Sequence, residues 1–390
     1  MNRPARIVAF VLGLVAAGLG LSCRTGADAT KLQAERAASL TELLAAEDAS
    51  GFVVANAPRT FEFPADHGAH EGFRTEWWYF TGNLETGGGR HFGYQLTFFR
   101  SQLTPEPAER SSAWGTAALF MAHFALTDTA AGEFHSFERF AREGLDLAGA
   151  AAEPFRVHLE DWQVTADQAG QFPGRLEARG DDVTLSLDLE ATRQPILQGD
   201  AGLSYKSAGG SSASYYYSMP RIDSHGEVTI GDDRFTVGGF SWLDREWSSG
   251  VLNPRQVGWD WVALSLEDGR DLTAFQLRRA DGSVDWAGGS IAAPGGATRS
   301  LAPGDLTMTP LARWRSARSG ASYPVRWRLE VPQAEVDLEI EALLDDQEHT
   351  GSFAYWEGAV AASPRGSDQR IGLGYLELTG YRPADGASAD

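Results

Sequence analysis

The chain has 390 residues, 43% of them hydrophobic, with a formal net charge of -20 and one cysteine. Such a length and composition supply two domains with a core each and exclude a disordered polymer, while the acidic balance argues against a nucleic-acid partner. A lone thiol forms no internal disulfide, so the fold rests on its core.

Arg3 and Arg6 precede an uncharged apolar run, residues 7–21, that ends at Ser22-Cys23. Basic, then apolar, then small is the order of a secretory signal, and the run falls short of the roughly 20 residues of a spanning helix. Cys23 stands directly after the run and resembles the residue that is acylated once a bacterial lipoprotein signal is cut, although Gly20 occupies a position where Leu is usual. Cleavage of an ordinary signal nearby is the alternative. The expectation is an exported, periplasmic chain, lipid-anchored to a membrane through Cys23. Residues 1–22 form the signal and 23–59 a tether, in which Leu32, Leu40, Leu43 and Leu44 lie near one face of a helix over 31–46.

From about Thr60 the pattern changes to short alternating or aromatic runs, at 77–82, 92–99, 183–189 and 326–331, punctuated by Gly, Asp, Pro and Asn. With 44 Gly and 17 Pro this is strand-and-turn chemistry, and the class is all-β. A short helix is expected within 134–147. Trp77-Trp78-Tyr79, an acidic Gly turn and Gln95-Leu96 are echoed by Trp259-Asp260-Trp261, a second such turn and Gln276-Leu277. The echo suggests two related β domains, 60–240 and 241–383, followed by a tail over 384–390.

The densest chemical cluster is Trp242-Leu243-Asp244-Arg245-Glu246-Trp247. Residues two apart on a strand share a face, so Trp242, Asp244 and Glu246 point one way and Arg245 and Trp247 the other. Carboxylates beside indoles can hold one acid protonated next to a base that stays ionised. The plain reading of the same residues is structural, with Arg245 paired to an acid and the Trp side chains filling barrel ends. Glu76, Trp78 and Phe80 share one face of an earlier run and Trp77 and Tyr79 the other. Tyr216, within Tyr215-Tyr216-Tyr217, and the late pair Trp356-Glu357 add further aromatics and an acid.

Several devices are missing. Ser241 lacks the second glycine of a nucleophile elbow, and no glycine-rich loop opens a helix for a nucleotide, so no cofactor is expected. His67, His70 and Glu71 are metal-ligand types in an order that fits no metal motif, and no metal is expected. His123, inside an apolar stretch, reads as a hydrogen-bonded core histidine. Lys206, one of two lysines, sits in a Gly/Ser-rich loop and is set aside as a Schiff-base residue.

Phe63-Pro64-Ala65-Asp66-His67-Gly68, Thr75 to Gly82, Tyr216-Tyr217-Ser218, Gly239 to Trp247, Gly258 to Trp261, Tyr355 to Gly358 and Gly374 to Tyr381 together resemble one family. It is that of the lipocalin-like carotenoid 1,2-hydratase and AttH proteins, often labelled predicted secreted hydrolases. The resemblance implies two tandem lipocalin-like (calycin-type) β-barrels, with ligand space inside a barrel or between the two. It also implies an apolar isoprenoid or lipid as ligand, and water addition to an alkene as one activity. Where family members often show Asp-His-Glu, this chain has Asp244-Arg245-Glu246, a departure that bears on a hydratase role.

Protonating an alkene needs an acid, a stabilised cation and a base for water. Asp244 is expected as acid and Glu246 as base. Ligand contacts are expected from Glu76, Trp78, Tyr79, Tyr216, Trp242, Trp247, Trp259, Asp260, Trp261, Trp356 and Glu357. The alternatives are a non-catalytic carrier of a hydrophobic molecule that serves a transport system, and a secreted hydrolase. Paired carboxylates and Trp platforms also suit sugars.

Overall fold

A computed structural model describes residues 49–106, 112, 115–210, 212–250 and 252–382. The signal segment, Cys23 and the helix expected over 31–46 lie outside the described residues.

Among the described residues the chain is built of strands, joined by turns and three short 3-10 segments. The first sheet holds β1 (Thr75–Thr86), β2 (His91–Gln102), β3 (Ala118–Asp128), β4 (Glu133–Arg142), β5 (Ala148–Ala152), β6 (Phe155–Leu159) and β7 (Trp162–Thr165). It continues with β8 (Arg175–Gly180), β9 (Val183–Ala191), β10 (Ile196–Leu197), β11 (Leu203–Tyr205), β12 (Ala213–Ile230) and β13 (Asp233–Ser248). The second sheet holds β14 (Gln256–Leu266), β15 (Asp271–Arg279), β16 (Val284–Ala292), β17 (Thr298–Leu301) and β18 (Thr307–Arg315). Its remaining strands are β19 (Ser322–Val331), β20 (Val336–Ala342), β21 (Glu348–Thr350), β22 (Ala354–Pro364) and β23 (Gly372–Leu378).

Each sheet rolls into a barrel or half-barrel of the lipocalin-like kind. The spatial orders are β4-β3-β2-β1-β13-β12-β9-β8-β7-β6-β5 and β17-β16-β15-β14-β23-β22-β20-β19-β18, so in each the last strand returns to pair with the first. The sequence echo falls on equivalent hairpins, β1-β2 and β14-β15. The first sheet runs unbroken to Ser248 and the second starts at Gln256, which moves the domain boundary from the expected 240/241 to 249–255. Asp244 and Glu246 therefore belong to the first barrel. Alternation that stays in register with β1 from Thr86↔Val237 to Thr75↔Ser248 is what keeps β13 whole.

Two-residue periodicity builds both cores. Along β9, Val183, Leu185, Leu187 and Leu189 are buried while Thr184, Asp188 and Glu190 are exposed. The helix expected within 134–147 is instead the edge strand β4 and a 3-10 turn at Gly144–Asp146. Pairing of Leu119 to Asp128 with β4 overrides the local helical tendency.

The two barrels meet through β1 and β2 against β22 and β23. Gly93 permits the close approach, since a Cβ there would stand 2.6 Å from Ala359 Cβ. Polar ties cross the seam: Thr127 Oγ1 donates to Gln347 Oε1 at 2.7 Å, and Asn83 Nδ2 to the Gly374 carbonyl at 3.2 Å. Arg221, at a bulge of β12 with φ 51°, reaches Asp271 of the second barrel at 2.8 Å.

Candidate active site between the barrels

The face of β1, β12 and β13 that turns away from the first barrel's core carries Trp77, Tyr79, Tyr216, Asp244 and Glu246. Register aligns them, with Tyr79 opposite Asp244, Trp77 opposite Glu246, and Glu246 opposite Tyr216. The corresponding strands of the second barrel put Glu377 between Trp261 and Glu357. The two faces enclose a cavity of about 70 Å³ lined by Trp77, Tyr79, Phe99, Lys206, Tyr216, Asp244, Glu246, Trp259, Trp261, Phe275, Leu277, Glu357 and Glu377. Four carboxyl groups and one lysine thus share an aromatic chamber. Their surroundings differ.

Asp244 is buried and is pushed up to about 7, chiefly by desolvation and helped by the charge of Glu246. The Ser218 hydroxyl donates to Asp244 Oδ1, and the Trp242 and Tyr216 side chains oppose the rise. Glu377 is also raised to about 7, by desolvation and then by the charges of Glu246 and Asp244. Glu357 is held well above the usual carboxylate range by desolvation and by Glu377, and neither of its oxygens has a hydrogen-bond partner. The Tyr79 and Tyr355 hydroxyls lower it from nearby, outside hydrogen-bonding geometry. Glu246 differs from all three: Lys206 Nζ lies 2.8 Å from its Oε1, and Ser214 Oγ donates to the same oxygen. Lys206 Nζ also sits 4.8 Å from the Phe275 ring centroid. Tyr216 Oη accepts from Trp261 Nε1 across the seam at 3.2 Å.

The structure brings to this cavity the expected acid and base, Asp244 and Glu246, and, of the expected ligand contacts, Tyr79, Tyr216, Trp259, Trp261 and Glu357. Trp242 stands beside it in an apolar cluster with Tyr79 and Trp261, and lines a neighbouring cavity of about 280 Å³.

The others are corrected to the barrel interiors, because strand alternation turns them the opposite way. Glu76 is ion-paired inside the first barrel to Arg245 Nη2 at 2.6 Å and Arg100 Nη1 at 3.0 Å, which holds its carboxyl far below the usual range. Trp78 donates its indole N–H to the His67 carbonyl at 2.8 Å, and Trp247 stacks on His70 at 3.7 Å. Asp260 binds Gln276 Nε2 at 2.8 Å and Tyr381 Oη at 2.7 Å within the second barrel, where Trp356 is fully buried. Arg245, the departure from Asp-His-Glu, also faces the first barrel's interior, with its guanidinium 3.8 Å from the Trp78 ring centroid. The exchange therefore takes nothing from the cavity wall.

Sequence reasoning missed Lys206, Glu377, Trp77, Phe99, Phe275 and Leu277 as lining. Trp77 was recoverable, since it shares a face with Tyr79. Glu377 carried a signal too, as an acid between Leu376 and Leu378 in a strand. Lys206 carried none, because its place depends on the β11-β12 loop folding over the cavity. His67 and His70 bond to Tyr217 at 2.6 Å and Asp66 at 3.0 Å, and no metal-binding cluster occurs among the described residues.

The AttH-like family model matches residues 54–381. The chain belongs to this family. A protein from Nitrosomonas europaea assigned to AttH is 40% identical in its crystal structure, with 83% of this chain and 99% of that one covered and a TM-score of 0.74. Kievitone hydratase from Nectria haematococca shares 16% identity over 87% of this chain and 98% of its own, with a TM-score of 0.61, a likeness of fold alone. The dehydratase asqC of Emericella nidulans is 26% identical over 190 residues, 46% of this AttH-like chain. The chain spans about half the length of that curated relative, 51%.

Proposed function

We propose that this AttH-like protein is a hydro-lyase that adds water to, or removes it from, a carbon–carbon double bond of an apolar substrate, using its own carboxyl groups as acid and base. The observation that carries this reading is the pairing, in one aromatic cavity, of Asp244 at about 7 with the ion-paired Glu246 two residues along the same strand face. An acid and a base poised apart in one site is the arrangement proton transfer to carbon requires. The dehydratase among the relatives, 26% identical over 190 residues, supports it.

In the hydration direction Asp244 gives its proton to one alkene carbon, and the neighbouring carbon becomes cationic. The faces of Trp77, Trp259, Trp261 and Tyr216 stabilise that charge. Water adds to the cation and loses its second proton to Glu246, so one water is consumed and no charge is left on the product. An acyclic isoprenoid such as a carotenoid is the finer substrate proposal. Acylation at Cys23 after export, which would hold the barrels at a membrane where apolar substrates reside, belongs to the same proposal. Loss of fatty-acid labelling in Cys23→Ala checks it.

Mass spectrometry of gently purified protein identifies the ligand class, and turnover of that class is then measured in an Asp244→Asn, Glu246→Gln double variant. Turnover should collapse while ligand retention survives. Unchanged turnover sinks the assignment, and a retained ligand that wild type never converts makes the protein a carrier.

A further inference from the structure

Glu357 is 1% exposed and both its carboxyl oxygens lack a hydrogen-bond partner, yet the group beside it is well connected. Tyr355 lies two residues before Glu357 on the same face of β22, with its hydroxyl close enough to influence the carboxyl. Across the seam His123 Nδ1 stands 2.7 Å from Tyr355 Oη, and His123 Nε2 stands 3.1 Å from Glu138 Oε2. Glu138 is on the edge strand β4 and its side chain is 16% exposed, against 2% for His123. The second barrel closes over it: Ser352 N–H donates to Glu138 Oε1 at 2.8 Å, and Gly351 packs so near that a Cβ would sit 2.9 Å from the carboxyl carbon. His349 stacks on Tyr355 at 4.6 Å and fixes the phenol ring. The result is a file of four groups from solvent to cavity, assembled from both barrels.

We propose that Glu138, His123 and Tyr355 form a proton relay that exchanges the carboxyl proton of Glu357 with solvent. Moving outward, a shift of the Glu357 side chain closes its gap to Tyr355 Oη, and the Glu357 proton passes there as the tyrosine's own proton passes to His123 Nδ1. The imidazolium so formed gives its Nε2 proton to the Glu138 carboxylate, which releases it to water. Inward transfer is the same sequence reversed, and every group returns to its starting state. No ring rotation of His123 is needed. The use of the relay rests on the hydro-lyase reading, since a site that spends a proton on carbon and collects one from water must exchange protons while apolar substrate fills the cavity. The relay itself does not depend on that reading.

The test is infrared spectroscopy of the intact protein transferred from H₂O to D₂O near neutral pH. The Glu357 carboxyl band is the one lost in Glu357→Gln, and its isotope shift is followed in time. Tyr355→Phe, which removes only the hydroxyl, and Glu138→Gln should each slow that shift about tenfold or more at unchanged near-ultraviolet dichroism. Should Tyr355→Phe fail to fold, Glu138→Gln decides alone. Exchange at the wild-type rate in a folded variant overturns the relay, as does the absence of any protonated carboxyl band assignable to Glu357. Neither outcome bears on Asp244, whose role is judged by turnover.

Discussion

At the scale of single residues, partner charge rather than burial separates the buried acids. Glu76 and Asp244 are equally buried, but Glu76 faces two guanidinium groups and Asp244 faces none. Desolvation is therefore offset at the first and left standing at the second. The consequence has a sign. A carboxyl raised in the folded state binds its proton more tightly there than in the unfolded chain, so it stabilises the fold below its unfolded pKa of 3.8 and loses that contribution as pH rises toward about 7. The full loss is on the order of 4 kcal/mol. Asp244→Asn should thus be more stable than wild type at about pH 8 and nearly equal to it at about pH 4, by urea unfolding. The same variant should lose turnover by roughly 10²–10⁴, the usual worth of a positioned acid.

At the scale of elements, β1 and β13 are two-faced. One face holds the first barrel together through Glu76, Trp78, Arg245 and Trp247, and the other builds the cavity. The Glu76, Arg245 and Arg100 cluster is fully enclosed, so breaking one pair strands a buried charge. Glu76→Gln should cost about 3–5 kcal/mol in urea unfolding, in contrast to the gain expected for Asp244→Asn. This contrast checks the two faces against each other: comparable losses at both positions would show that the alternation is misassigned. Much of it was legible. The alternation of Asp244 and Glu246 against Arg245 and Trp247 follows from period two alone. Which face meets a ligand does not, because an acid and an indole occur on both.

At the scale of the whole molecule, the cavity exists only where the outer faces of two barrels meet. Tyr79, Asp244 and Ser218 of the first occupy the places of Trp261, Glu377 and Glu357 in the second, by equivalent strand pairing. Equivalent strand positions thus supply aromatic and acidic side chains to both walls. Spacing between the walls is set by small residues, so Gly93→Val should wedge against Ala359. The expected outcome is about 1–3 kcal/mol of destabilisation with loss of turnover, read by thermal unfolding alongside activity. Each barrel's own core should keep its tryptophan environment, since Trp78, Trp247 and Trp356 lie away from the seam.

The sequence by itself determined the strand class, the tandem repetition and the face on which each strand residue lies, because these depend on local periodicity and turn chemistry. It also marked Asp244, Glu246, Tyr216, Trp261 and Glu357 as chemically interesting. Only the tertiary structure decided that the shared space lies between the barrels, and that Glu76, Trp78, Trp247, Asp260 and Trp356 belong to the interiors. It alone added Lys206 and Glu377, and joined His123 to Tyr355 across 232 positions of chain. The physical reason is that an acid's protonation, and an aromatic's role as wall or core, depend on what stands opposite it. That neighbour comes from a strand or a barrel far away in sequence.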